Sequence, residues 1–415
     1  MTAEIVAVGS EMLTPDRSDT NSLWLTAMLG GMGITVGAKH IVPDDEDAIA
    51  RTLGQCLSAS DLVIVCGGLG PTEDDVTRQA VSRKLRRPLA LHRDILGGIE
   101  ERFRRLGIPM PRINARQGMV PRGAIVVPNG AGTAPGLLLS HRGRAVLVLP
   151  GPPNELRAVW GEARPHLEAL LGPARRALVA RKLLVAGLSE SRVDEIASPL
   201  YKRARGIRTT ILFSAGQIEL HLNGEAATEA AARRRVDALA AKLRTALGTH
   251  VFGEAEETLE QVVVDGLRRR GARVATAESC TGGLLGQRIT SVPGSSDVYE
   301  LGVVTYANWA KHDLIGVKEE TLEAHGAVSE ETAREMAEGV RARGRAAYGL
   351  AITGIAGPDG GTESKPVGTV YVGLASGRGT RVVRLMLPGR RESVRRLATQ
   401  AALNMLRLDL ERHAP

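Results

Sequence analysis

Cysteine is nearly missing from this chain. Cys56, Cys66 and Cys280 lie far apart with no CxxC pair, which excludes a disulfide framework and argues against a structural zinc site. Aromatic residues make up 3%, too few for the stacking platforms on which single-stranded nucleic acids lie. Lysine is scarce as well, at eight among 54 basic residues. The net charge of +8 is therefore an arginine charge, and it is spread along the chain rather than gathered into a patch. That distribution weighs against direct nucleic-acid binding and favours anionic small molecules. No apolar run approaches the roughly 18 residues of a membrane span. The opening MTAEIVAVGSEM lacks the basic start and long apolar stretch of a signal peptide, so no membrane association and a cytoplasmic location are expected.

What is present is an ordinary globular composition, 43% apolar and 24% charged over 415 residues, enough for two to four domains. EIVAVG, ITVGAKHIV and DLVIVCGG alternate with helical spans in a βαβαβ order, and GAIVVPNG and RAVLVLPGPP continue it. This predicts a parallel-sheet α/β domain over 1–173, closed by the GPARRA break, with ligands at the carboxyl ends of its strands. Residues 174–254 read as a small split-βαβ module whose hairpin turns at Ala215-Gly216, and 258–415 as a second α/β domain.

Two places carry chemistry. In the first domain, GGLGPTEDDVT follows an apolar strand. Glycines there let backbone amides approach an anion, and the next helix points its positive end the same way. Glu73, Asp74 and Asp75 directly behind would repel phosphate unless a divalent cation bridges them or one of them acts as a base. The alternative is a turn and helix start with Thr72 as cap. Polar or Gly/Pro-rich ends recur on the neighbouring strands: Gly9-Ser10-Glu11, Asp44-Asp45, Asn129 to Gly136, and Pro150 to Glu155. Topology gathers such ends into one crevice. The candidate nucleotide-contacting residues are Gly9, Ser10, Glu11, Asn21, Gly67, Gly68, Gly70, Pro71, Thr72, Gly132, Thr133 and Pro152, with Asp45, Asp74 and Asp75 as candidate metal ligands.

In the last domain, Glu278-Ser279-Cys280-Thr281-Gly282-Gly283 lies where a strand turns into a helix. Ser279 is either an N-cap or a nucleophile whose oxyanion the amides near Thr281 to Gly283 receive. The next strand ends in Val304-Thr305-Tyr306-Ala307-Asn308 and reaches Lys311. A lysine among apolar groups loses proton affinity and can take the serine proton, directly or through a tyrosine hydroxyl. A second Gly-rich loop, Thr353 to Gly361, offers amides to an anion, and Arg390, Arg391, Arg395 and Arg396 form either a phosphate clamp or a solvated basic face.

Asp19-Thr20-Asn21, GGLGPTEDD, GTAPG and LPGPPNE resemble the amino-terminal domain of the CinA family, a relative of the molybdopterin-binding domain. ESCTGG, VVTYANWAK, TGIAGPDGG and VGTVYVGLA resemble that family's carboxy-terminal domain over 258–411. Residues 175–253 resemble its KH-like middle domain, but without a GxxG loop, so RNA binding is not implied. The resemblance implies a nicotinamide mononucleotide deamidase needing no cofactor, with Ser279 as nucleophile and Tyr306 and Lys311 as proton-handling pair. Thr353, Gly354, Ala356 and Gly357 would be the substrate-holding loop. From the residues themselves, Thr281, Gly282, Gly283, Asn308 and Arg391 are further candidate substrate contacts. For the first domain it implies ADP-ribose binding and, in some members, pyrophosphate cleavage with a divalent metal such as magnesium, alone or with potassium. Asp45 and Asp75 match acidic positions used in molybdopterin proteins. A homodimer is also implied. The competing expectations are a non-enzymatic nucleotide-binding scaffold in competence or DNA repair, and a molybdopterin-handling protein.

Overall fold

Strands apolar at nearly every residue must be covered on both faces, and the two most uniform ones, LVIVC and RAVLVL, stand side by side at the centre of the first sheet. The fold is that of a computed structural model describing residues 1–15, 17–172, 177–214 and 216–412. The expected boundary at 173 and the Ala215 half of the hairpin turn lie outside the described residues. Two compact units form, Met1–Val179 with Gly224–Arg234, and Ala180–Asn223 with Arg235–Pro415.

The amino-terminal sheet is built from β1 (Thr2–Val8), β2 (Thr35–Val42), β3 (Leu62–Cys66), β6 (Ile125–Val127), β7 (Gly136–His141) and β8 (Arg144–Leu149), while β4 (Leu89–Leu91) and β5 (Met119–Pro121) pair apart from it. Its order is β2-β1-β3-β8-β7-β6. Four strands are parallel as expected; β7 pairs antiparallel with β8 because the short connection at Arg142-Gly143 permits only a hairpin, and β6 pairs antiparallel with β7 at the edge. Helices α1 (Thr20–Gly31) and α5 (Pro153–Leu171) cover one face through Leu25, Leu29, Leu156 and Trp160. Helices α2 (Glu46–Ala59) and α3 (Thr77–Leu85) cover the other through Ile49, Leu53, Val81 and Leu85, and α4 (Arg93–Arg105) follows β4. In register Val8 faces Val42, Ala7 faces Cys66, and Cys66 faces Leu149, so the strand ends and the loops beyond them share one edge.

The KH-like module is a four-stranded sheet of order β10-β11-β9-β12, from β9 (Ala177–Val185), β10 (Ile207–Ser214), β11 (Gln217–Ala226) and β12 (Val251–Glu254), with α6 (Glu190–Tyr201) and α7 (Glu229–Leu247). In the carboxy-terminal domain α8 (Leu259–Arg269) leads into β13 (Val274–Glu278), α9 (Leu284–Thr290), β14 (Tyr299–Val304) and α10 (Asn308–Ile315). Helices α11 (Glu319–His325) and α12 (Glu330–Arg343), strands β15 (Tyr348–Gly354), β16 (Thr369–Ser376) and β17 (Gly379–Met386), and α13 (Arg391–Arg412) complete it. The sheet runs β14-β13-β15-β16-β17, parallel over its first three strands and antiparallel beyond. Helices α8, α9 and α13 pack on one face, and α12 packs on the other through Met336, Ala337 and Val340.

Candidate functional site

The register of three parallel strands assembles the carboxy-terminal site. Glu278 pairs with both Val304 and Ile352, so the loops that leave β13, β14 and β15 emerge side by side. Two hydrogen bonds lock them: the Ser279 amide donates to the Ile352 carbonyl at 2.9 Å, and the Thr305 amide to the Glu278 carbonyl at 2.8 Å.

Ser279 is not a helix cap. Helix α9 starts five residues later, and its amide end is filled by Glu278, whose buried carboxylate accepts from the amides of Gly283 (3.1 Å), Leu285 (3.0 Å) and Gly286 (2.8 Å). The expected oxyanion donors shift accordingly. Gly283 is committed to Glu278 and the Gly282 amide to the Ser279 carbonyl at 3.0 Å, whereas among the described residues the Thr281 amide has no partner and the Cys280 amide meets only its own thiol. Arg395 holds this turn from α13, donating from Nη2 to the Thr281 carbonyl at 2.7 Å.

Lys311, on α10, is 0% exposed. Its Nζ donates to the carbonyl oxygens of Thr305 at 2.9 Å and Tyr306 at 3.2 Å. Burial pulls its proton affinity below that of a free lysine, and among the described residues no carboxylate pairs with it to restore the charge. A neutral amine has two N–H groups and one lone pair, so with both hydrogens on carbonyls the lone pair is left to accept a proton. The neighbouring Cys280 thiol is pushed up to about 11 by burial and stays neutral. Tyr306 is 60% exposed, and its hydroxyl accepts from Arg391 Nη2 at 3.0 Å. It meets Lys311 through its backbone carbonyl, not through the hydroxyl. His312 is turned away, its Nδ1 2.9 Å from the Val317 carbonyl.

The Gly-rich loop after β15 borders the same edge. The Thr353 hydroxyl is committed to the Ala327 carbonyl at 2.6 Å, Ala356 is buried, and the Gly357 carbonyl accepts from Arg391 Nη1 at 2.8 Å. Gly354 allows β16 to come close, since a Cβ there would stand 2.8 Å from the Thr369 carbonyl. Asn308 opens α10 on the surface. The hydroxyls of Thr281, Thr305 and Thr369 are buried and meet no protein partner among the described residues.

The amino-terminal loops enclose a cavity of about 730 Å³. Of the sequence candidates, Gly9, Glu11, Asn21, Gly67, Gly68, Gly70, Pro71, Thr133, Pro152, Asp74 and Asp75 line it, as do Asp19, Asp44, Gln117 and Glu155. Ser10, Thr72, Gly132 and Asp45 are not in its wall. Gly67 has φ +108°, and a Cβ would stand 2.2 Å from the Val8 carbonyl. The starts of α1 and α5 border the cavity at Asn21 and Pro153, joined by an Asn21 Nδ2 bond to the Gly151 carbonyl at 2.7 Å.

Three expectations change here. Thr72 does not cap α3, which begins at Thr77; its hydroxyl and amide donate to Asp75, the amide at 2.9 Å. Asp75 also accepts from the Gly70 amide at 2.7 Å, so its oxygens hold the loop closed. Asp45 caps α2, accepting from the Ala48 amide at 2.7 Å, and it is Asp44 that faces the cavity, bound to the Ser10 amide at 2.7 Å. Asp45, Asp74 and Asp75 therefore do not converge on one point as a metal-binding set.

Sequence reasoning passed over Arg78. It is 3% exposed and donates to the Leu69 carbonyl at 2.6 Å and the Gly70 carbonyl at 2.8 Å, bracing the Gly-rich loop from behind. Burial draws its pKa down to about 10. The signal was available, because 78, 81 and 85 fall on one buried helical stripe. Glu278 was quoted in a motif without a role; an acid at the end of an otherwise apolar strand is the corresponding signal.

Residues 256–410 match the family model described as CinA C-terminal domain, 180–253 that described as Damage-inducible protein CinA KH domain, and 4–169 that described as Probable molybdopterin binding domain. A CinA-like protein of Solibacter usitatus is 43% identical over 98% of both chains. A putative competence-damage inducible protein of Symbiobacterium thermophilum is 44% identical, again over 98% of both. The crystal structure of competence/damage inducible protein CihA from Agrobacterium tumefaciens aligns with 37% of this chain and 93% of its own, at 41% identity and a TM-score of 0.36. Matched end to end by relatives of this identity, the chain belongs to the CinA family.

Proposed function

We propose that the carboxy-terminal domain is a serine amidohydrolase that converts nicotinamide mononucleotide to nicotinic acid mononucleotide and ammonia, an activity of pyridine nucleotide recycling in the cytoplasm. One observation carries the reading: a fully buried lysine on α10 puts two N–H groups on carbonyls of the loop next in register to Ser279. In this reading the Ser279 hydroxyl adds to the carboxamide carbon while Lys311 takes its proton, and the developing oxyanion falls to the Cys280 and Thr281 amides. The proton passes to the departing nitrogen, which leaves as ammonia. Water then cleaves the acyl-serine, restoring the hydroxyl and releasing the acid. Tyr306, held by Arg391, offers its exposed ring to the pyridine, and Arg391 with Arg395 lies where an anionic ribose phosphate would enter. The partnerless threonine hydroxyls support a polar ligand at this edge.

The test is ammonia release from nicotinamide mononucleotide in the presence of chelator, with Ser279→Ala and Lys311→Ala beside it. Folded variants that release none support the reading; full activity of Ser279→Ala overturns Ser279 as the nucleophile, and folded wild-type protein that releases no ammonia overturns the deamidase in favour of ADP-ribose binding or a scaffold.

For the amino-terminal cavity the reading is an ADP-ribose-type pyrophosphate. Its support is the uncommitted Gly68 and Leu69 amides, among the described residues, together with the two helix starts. The molybdopterin-binding family model over 4–169 favours a second occupant, a phosphorylated pterin. Competition calorimetry between the two ligands, with and without magnesium and potassium, decides the occupant and any ion dependence. The homodimer is tested by sedimentation.

A further inference from the structure

At the far end of the amino-terminal sheet from the cavity, three side chains of different chemistry converge. Glu4 on β1, His40 on β2 and Cys56 on α2 bring a carboxylate oxygen, a ring nitrogen and a sulfur within 4.8 Å of one another. Among the described residues this is the one group of three His, Cys, Asp or Glu ligand atoms so close together. It stands apart from the ligand crevice: Glu4 precedes Val8 on β1 by four residues, roughly 13 Å at about 3.3 Å per residue.

We propose that these three residues bind a divalent transition metal of the zinc type, with water in the fourth position. The donor set is one nitrogen, one sulfur and one oxygen, the mixture that zinc accepts and magnesium or calcium does not. A tetrahedral ion about 2.0–2.3 Å from each donor sets donor separations of roughly 3.3–3.8 Å. To meet that spacing the His40 Nε2 to Glu4 Oε2 contact opens from 2.8 Å, and the Cys56 sulfur already lies within 4.8 Å of both atoms. The backbones carrying Glu4 and His40 are fixed to each other by the β1–β2 ladder. Access is graded: Cys56 is fully buried, the Glu4 side chain is 12% exposed and that of His40 32%, so the ion enters past the imidazole and keeps one face to water. Binding replaces the thiol proton, which leaves to solvent, and clamps α2 and β2 onto β1. No CxxC-type spacing announces the site because its ligands come from three separate elements.

The test uses the full chain, stripped by chelator and titrated with cobalt(II), whose bond to a thiolate gives a near-ultraviolet charge-transfer band. One cobalt per chain with that band, displaced by zinc, is expected. Cys56→Ser should abolish the band while Cys66→Ser and Cys280→Ser keep it, and His40→Gln and Glu4→Gln should weaken binding by about 10–100-fold or more. A metal held only by the carboxylates of the crevice gives no thiolate band. Absence of the band, or its survival in Cys56→Ser, overturns the proposal. If Cys56→Ser fails to fold, His40→Gln decides, and unchanged cobalt affinity in that variant overturns it equally.

Discussion

Replacing Lys311 by methionine separates the chemical role of the amine from its structural cost. The substitution keeps the length of the stem and removes the group that donates to the Thr305 and Tyr306 carbonyls. Leaving those acceptors bare costs about 1–3 kcal/mol. Against this, each unit by which burial lowers the lysine pKa is about 1.4 kcal/mol of strain on the charged form, which methionine relieves. The two effects on stability at neutral pH oppose each other, while loss of the proton acceptor lowers kcat by about 10²–10⁴. The pH dependence carries a sign. Lys311 binds its proton less well in the folded chain than in the unfolded chain, where the pKa is about 10.4. Between the two values the unfolded state holds the extra proton, so wild-type stability rises with pH by up to about 1.4 kcal/mol per unit, and that rise is absent from Lys311→Met. Below the folded value both states are charged, above the unfolded value both are neutral, and neither range contributes a slope. The assay is urea unfolding of both proteins from about pH 7 to about pH 11, read by thiol labelling. Buried Cys280 reports the carboxy-terminal domain, and Cys56 and Cys66 report the amino-terminal one. A stability difference that is flat across this range, or that moves against the wild type as pH rises, refutes a neutral buried amine; kcat within tenfold of wild type refutes its role as base.

Glu278→Gln removes the carboxylate that receives three amides of the α9 turn. Thermal unfolding should show a loss of about 2–4 kcal/mol, and steady-state kinetics a fall in kcat of about 10–100-fold at little-changed KM, because the turn carrying Ser279 is loosened rather than the substrate released. Tyr306→Phe deletes only a hydroxyl held by Arg391, so kcat should stay within about tenfold while Arg391→Ala raises KM; a loss near 10³ in Tyr306→Phe would put that hydroxyl on the proton path. In Gly67→Ala the new methyl meets the Val8 carbonyl at a backbone angle favouring glycine, and labelling of Cys66 should show the amino-terminal unit destabilised by about 2–4 kcal/mol with ADP-ribose binding lost in calorimetry.

The parts of this molecule that could be read in advance are those written in short-range patterns. Apolar runs of LVIVC type fixed the central strands, and alternation of strand and helix fixed the parallel cores, so that loops at strand ends could be expected to meet. Hairpin addition of β7 and β6 was hidden because GLLLSH and RAVLVL are equally apolar in a parallel or an antiparallel partner. At the sites, residue types were legible and bond partners were not. Asp44 and Asp45 are adjacent and alike, and only the turn of the backbone at the start of α2 decides that one caps the helix while the other faces the cavity. Thr72 and Asp75 look like a helix start and instead close the loop upon itself.

The deeper regularity is that the buried polar side chains near these loops answer to backbone groups of the loops and helix starts around them. Arg78 meets two carbonyls, Glu278 three amides, and Lys311 two carbonyls. For Lys311 this arrangement has chemical weight. Had Glu278 turned toward the amine, the pair would hold the lysine protonated and useless as a base. Because the α9 amides take the carboxylate instead, the acid and the amine sit in the same layer of loops without neutralising each other, the lysine keeps its lowered affinity, and the carboxylate fixes the turn that presents Ser279. Glu278→Gln should accordingly lower the rate while leaving the pKa of the pH–rate profile where wild type has it, and a profile displaced by a full unit would mean that the two charges are coupled after all.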